Sequence, residues 1–209
     1  MTRVHIPADS VTLEGELFLP SPGRGIVVFA HGSGSSRLSS RNLFVAEVLQ
    51  RNGIGTLLFD LLTREEDLDY TLRFDISLLT RRLLAATHWL QKKPEVSEAP
   101  LGYFGASTGA AAALQAAAKQ GKKIAAVVSR GGRPDLAGNA VLRQVTAPTL
   151  LIVGGADYGV IELNQQAFAI LHCTKALTLV PDATHLFEEA GTLEKVAQHA
   201  VDWFLEYLK

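Results

Sequence analysis

The 209-residue chain has one cysteine, Cys173, so no internal disulfide can form. That scarcity fits a reducing compartment and excludes a small disulfide-stapled scaffold. No apolar window reaches the ~18 residues of a membrane span. The start, Met1-Thr2-Arg3-Val4-His5-Ile6-Pro7, lacks the continuous apolar stretch of a signal peptide, so the expected setting is cytoplasmic. Lysine and arginine number 20 against 21 aspartates and glutamates, a formal net charge of −1. With neither sign in excess, nothing global points to nucleic acid or an anionic membrane surface. The histidines lack close metal-ligand spacing and no Gly-x-Gly-x-x-Gly follows a strand, so neither a metal nor a nucleotide cofactor is expected. Internal repeats, linkers and low-complexity tracts are also missing. One domain over residues 1–209 follows, a length within the ~250 residues that single domains reach.

What is present is a regular alternation. Val11 to Leu19 places apolar residues at every second position, a half-buried antiparallel pattern, and with Val4-His5-Ile6 it predicts an opening hairpin or edge pair. Short continuous apolar runs then follow at Ile26–Ala30, Thr56–Phe59, Leu101–Phe104, Ile124–Val128, Thr149–Val153 and Ala176–Val180. Such runs mark strands covered on both faces, as in a parallel sheet. Helical patterns separate them, at about Asn42–Arg51, Asp75–Lys92, Ser107–Lys119, Ile161–Leu171 and Leu193–Tyr207. Gly53 and Gly121 stand where helix C-caps belong. The expected fold is an α/β three-layer sandwich with a mostly parallel sheet.

Gly105-Ala106-Ser107-Thr108-Gly109 lies between an apolar run and an alanine-rich helical stretch. In that strand–turn–helix context, Gly-x-Ser-x-Gly is the nucleophile elbow, a sharp turn that exposes a serine hydroxyl. Its glycines are needed because strand and helix approach too closely for a Cβ atom. In open parallel sheets ligands bind past the carboxyl ends of the strands, so the polar residues following each run are informative. These are His31-Gly32-Ser33-Gly34, Asp60, Ser107, Ser129-Arg130-Gly131-Gly132-Arg133, Gly154-Gly155-Ala156-Asp157 and Pro181-Asp182-Ala183-Thr184-His185. Serine, aspartate and histidine appear in the chain order of an α/β-hydrolase triad.

From Gly25 to the C-terminus the chain thus resembles the α/β-hydrolase superfamily, nearest in size and layout to dienelactone-hydrolase-like proteins. The matching motifs are His31–Gly34, Gly105–Gly109, Gly154–Asp157 with Val160, and Thr184-His185. The resemblance implies Ser107 as nucleophile, His185 as general base and later acid, and Asp157 as the carboxylate that orients the imidazole. It also implies an oxyanion hole from the backbone N–H groups of Ser33 and Thr108, where one lost donor costs about 2.7–4 kcal/mol of barrier. Alternatives stay open. Asp135 and Asp60 also follow strands and compete for the acid, while Asp182 reads as a turn residue. His31 reads as a loop-ordering residue and as a second candidate base. His5, His88, His172 and His199 read as ordinary surface or core residues.

Genuine dienelactone hydrolases carry cysteine at the elbow, whereas this chain has Ser107, so the expected substrate is a small ester, lactone or related acyl compound. Serine peptidase and thioesterase chemistry use the same triad, and a non-catalytic binding protein with a hydrolase fold is the alternative of another class. Between the run ending near Ser129 and the next strand only Gly131–Ala147 intervenes, room for one short helix and no large lid. Arg130 and Arg133 flank Gly131-Gly132 beside the predicted site, with Arg37, Arg41 and Arg64 on the same side. Either one or two of them bind an anionic substrate group, or they are solvated arginines paired with Asp135 or Glu65.

Overall fold

The computed structural model describes residues 1–21 and 23–209. Its centre is an eight-stranded sheet of β1 (Thr2–Ala8), β2 (Val11–Phe18), β3 (Ile26–Ala30), β4 (Gly55–Phe59), β5 (Leu101–Ala106), β6 (Ile124–Arg130), β7 (Thr149–Gly154) and β8 (Lys175–Val180). The spatial order is β1-β2-β4-β3-β5-β6-β7-β8. β1 pairs antiparallel with β2, and β2 antiparallel with β4; every later pairing is parallel. The alternating segment therefore forms the antiparallel edge pair, and the continuous apolar runs form the parallel part, covered on both faces in β3, β4, β5 and β7. The expectation fails at β8, the sheet edge, where only Val180 is buried and Leu179 is exposed.

Helices α1 (Ser40–Arg51) and α6 (Thr192–Tyr207) cover one face, and α2 (Ile76–Gln91), α3 (Thr108–Gln120) and α5 (Tyr158–Ile170) the other. Strand β3 shows how the two cores divide. Val27 and Phe29 pack with Val45, Leu49 and Phe204, while Ile26, Val28 and Ala30 pack with Leu83, Ala112 and Leu114 on the opposite side. Period-two alternation within an all-apolar run sends successive side chains into different cores. Helix α3 buries Ala110–Ala113, Ala116 and Ala117. Small side chains let this helix lie close against the middle of the sheet, directly behind the elbow.

Two connections hold only short turns. Between β4 and α2, residues Glu66–Leu68 and Leu72–Phe74 form short 3-10 turns that carry no apolar periodicity. Between β6 and β7, the Gly131–Ala147 stretch holds a 3-10 turn, Pro134–Ala137, and the single-turn helix α4 (Asn139–Leu142). The second region is as small as its length required, and the carboxyl ends of the central strands are not roofed by an inserted lid helix.

Candidate active site

The register of β5 with β6 sets Ala106 opposite Arg130, so the two strands end together and Ser107 emerges beside Arg130. Ser107 has φ 50° and ψ −120°. A non-glycine residue there costs roughly 1–3 kcal/mol and persists only when its surroundings fix it. Ser107 N–H donates to the Arg130 carbonyl at 3.2 Å, and the Ser107 carbonyl accepts from the amides of Arg133 at 3.0 Å and Ala110 at 3.1 Å. A Cβ on Gly105 would lie 2.5 Å from the Ala110 Cα, and one on Gly109 would lie 2.1 Å from the Ala30 carbonyl oxygen. Both elbow glycines are therefore fixed by backbone contact, as the motif requires.

The loop after β3 is held by His31. Leu61 N–H can only donate, and it meets His31 Nε2 at 2.9 Å, so Nε2 is the acceptor. The proton then sits on Nδ1, which donates to the Gly32 carbonyl at 2.9 Å. Burial holds the His31 pKa below the usual histidine value, against the opposing pull of the Gly32 carbonyl, Asp60 and Asp67. His31 is thus a neutral strut with both nitrogens engaged. A Cβ on Gly32 would stand 3.1 Å from the Ser107 Cβ, so this loop rests directly on the elbow. Among the described residues, the N–H groups of Ser33 and Thr108 have no hydrogen-bond partner. Both residues line the same cavity as Ser107.

Two clasped loops bring Asp157 to His185. Gly155 N–H donates to the Val180 carbonyl at 2.8 Å, and Ala156 N–H to the Ala183 carbonyl at 2.9 Å. A Cβ on Gly154 would fall 2.4 Å from the Ala183 carbonyl oxygen, which explains the glycine. Asp157 Oδ2 accepts from His185 Nδ1 at 2.7 Å; the carboxylate is mostly buried and the imidazole half-exposed. The loop carrying His185 is tied by Thr184, whose Oγ1 donates to Glu189 at 2.6 Å. The competing carboxylates are engaged elsewhere. Asp60 pairs with Arg37, accepting also from the Arg37 amide at 2.7 Å. Asp135 takes Arg133 bidentately at 2.9 and 2.8 Å. Asp182 has φ 63° and serves as a turn.

Ser107, Thr108, Ser33 and His185 share a cavity of about 240 Å³ with Arg41, Phe74, Arg130, Arg133 and Leu186. No direct hydrogen bond joins Ser107 and His185 among the described residues, a looseness common before substrate tightens such contacts. The arginines differ from one another. Arg133 is neutralised by Asp135. Arg130 is buried, with Nε and Nη1 unpartnered and only a 3.4 Å contact from Nη2 to Asn42 Oδ1. Burial first, and the nearby Arg41 guanidinium second, push its pKa down to about 10. Arg37 pairs away from this cavity, with Asp60 and Glu14.

Sequence reasoning passed over Phe74, Leu186 and Asn42 as parts of this site. Phe74 lies in an aperiodic segment, and an exposed aromatic there gives no signal until the fold brings it to the serine. Asn42 follows the Ser39 N-cap, and its position in the first turn looks like ordinary helix-start chemistry.

Among the described residues, no helix is long and apolar enough to cross a membrane. The dienelactone hydrolase family profile matches residues 15–209. The crystal structure of a dienelactone hydrolase from Anabaena variabilis superposes with a TM-score of 0.96 at 54% identity, covering 100% of this chain and 98% of that one. Two putative phosphoribosyl transferases of Mycobacterium tuberculosis are 58% identical over 206 residues, 99% of this chain and 46% of theirs. The chain thus spans about half the length of these curated relatives. Est1E from Butyrivibrio proteoclasticus shares the fold, with a TM-score of 0.83 at 18% identity over 98% of each chain. With a family match over nearly the whole sequence and a hydrolase of the same architecture at more than half identity, this chain belongs to the dienelactone hydrolase family of α/β hydrolases.

Proposed function

We propose that the protein cleaves a small ester, lactone or related acyl substrate through an acyl-serine intermediate. Ser107 Oγ attacks the carbonyl carbon while its proton passes to His185 Nε2 and the carbonyl π electrons move to oxygen. The resulting oxyanion takes hydrogen bonds from the Ser33 and Thr108 N–H groups, which face no protein partner. Collapse of the tetrahedral intermediate expels the leaving oxygen, which takes the proton back from His185. Water, deprotonated by the same imidazole, then releases the carboxylic acid and restores Ser107. Asp157 fixes the tautomer that leaves Nε2 free, and stabilises the imidazolium as it forms.

The observation that carries this reading is the 2.7 Å Asp157–His185 hydrogen bond, set on a cavity shared with a strained serine and two unengaged backbone donors. A cavity of about 240 Å³ lies below the roughly 300–1,000 Å³ of drug-sized sites, which favours a small substrate. The cavity-lining Arg130 is read as a substrate contact, and Arg133, held by Asp135, as a support for the loop beside the elbow. The phosphoribosyl transferase name belongs to whole proteins of which this chain spans 46%. Turnover of short aryl esters by wild-type, Ser107→Ala and His185→Ala protein tests the proposal. Both substitutions are expected to abolish turnover; hydrolysis that survives Ser107→Ala overturns it.

A further inference from the structure

The geometry points to a subsite in the cavity wall, built from Arg130 and Arg41, that holds a phosphate monoester carried by the acyl substrate. This inference rests on the reading of Ser107 as the nucleophile and adds the substrate's chemical class. Among the twelve residues lining the cavity there are three arginines, Arg41, Arg130 and Arg133, and no carboxylate. Asp135 neutralises Arg133 through two hydrogen bonds. Arg130 has no acidic partner, although it is only 8% exposed. Arg41 reaches only the exposed Glu188, at 3.4 Å.

A buried cation without a counter-ion is unfavourable, and proteins rarely keep one unless something else supplies the charge. Desolvation and Arg41 both lower the Arg130 pKa, so the two guanidinium groups repel each other across the wall. A monocarboxylate would balance one of these charges. A phosphate monoester, close to dianionic at neutral pH, would balance both, with enough oxygens for Nη2 of Arg130 and the Arg41 fork. Phe74 and Leu186 are the large apolar side chains of the lining, so the rest of the substrate would lie against them, with the scissile carbonyl at Ser107.

The alternative role for Arg130 is structural, holding Asn42 at the start of α1. A structural arginine would not bind free phosphate, and its removal would not alter a preference among substrates. Calorimetric titration of inorganic phosphate into wild-type and Ser107→Ala protein, at neutral pH and fixed ionic strength, separates the two roles. Saturable binding to both proteins is expected, weakened about tenfold or more by Arg130→Met and several-fold by Arg41→Met. Arg130→Lys, which keeps the charge and loses the fork, should retain part of the affinity, and it serves if Arg130→Met does not fold. Because Ser107→Ala lacks the nucleophile, phosphate binding is measured independently of the hydrolase reading. Esters matched at the scissile bond but ending in phosphate, carboxylate or a neutral group supply the second arm. The kcat/KM order phosphate, carboxylate, neutral is expected, with the spread collapsing in Arg41→Met. Absence of saturable phosphate binding, binding unchanged in Arg130→Met and Arg41→Met, or a carboxylate ester preferred over the phosphate ester overturns the assignment.

Discussion

The buried arginines Arg37, in the loop that follows β3, and Arg130, at the end of β6, meet opposite fates. Arg37, a buried residue of that loop, has both terminal nitrogens on carboxylates, Nη1 on Asp60 and Nη2 on Glu14. Arg82, equally buried, is satisfied in the same way by Glu66 and the Ala8 carbonyl. Arg130 is comparably buried and has no carboxylate partner among the described residues. The first arrangement is what a fold does with a charge it uses for itself. The second leaves a charge uncompensated next to the strained turn at Ser107, which makes sense where a ligand completes it.

The largest effect expected from probing this contrast is loss of chemistry. Ser107→Ala should lower kcat/KM for any turned-over ester by about 10⁴- to 10⁶-fold with the thermal midpoint hardly moved; steady-state kinetics and a melting curve check both halves. The next is a difference of sign. Arg37→Met strands Asp60 and Glu14 and should destabilise by about 2 kcal/mol, whereas Arg130→Met removes an uncompensated buried charge and should stabilise the ligand-free protein by about 1 kcal/mol. Melting temperatures moving in opposite directions would sustain the comparison, and equal losses would break it.

A smaller effect is confined to pH. The folded-state pKa of His31 is lowered by burial from 6.5, so as pH falls below 6.5 the unfolded chain takes up a proton that the folded one refuses. Its contribution to stability is complete above that value and is lost on acidification, at up to about 1.4 kcal/mol per pH unit. Denaturant midpoints measured between neutral and mildly acidic pH should fall less steeply in His31→Gln. The smallest effect is expected at a glycine that no neighbour requires. Gly159, at the start of α5, has open space around its missing Cβ, and Gly159→Ala should stabilise by about 0.5–1 kcal/mol. Gly109→Ala, aimed at the Ala30 carbonyl, should yield little folded protein on expression.

The paired and unpaired arginines also show where sequence reading succeeds and where it stops. The parallel strands were legible because doubly covered strands are written as uninterrupted Val, Ile, Leu and Phe, and the elbow because its glycines answer to backbone contacts made within a few residues. That Asp157 and His185 lie side by side was legible because each sits in the loop after a strand, and strand ends converge in a parallel sheet. Charge pairing was not legible. Arg130, at the end of β6, and Arg133, in the loop after it, stand three residues apart, yet only Arg133 reaches Asp135, and nothing in the letters separates them. The same holds for Arg37, whose partners Glu14 and Asp60 come from β2 and the end of β4. Phe74 escaped notice because a 3-10 turn leaves no periodicity to read.

The central claim, a serine nucleophile activated by His185, is tested most directly by a fluorophosphonate probe followed by intact-mass and peptide analysis. The account predicts one adduct per chain, located on Ser107, absent in Ser107→Ala and strongly slowed in His185→Ala. A wild-type protein that stays unlabelled, or labelling that proceeds undiminished without His185, would contradict it.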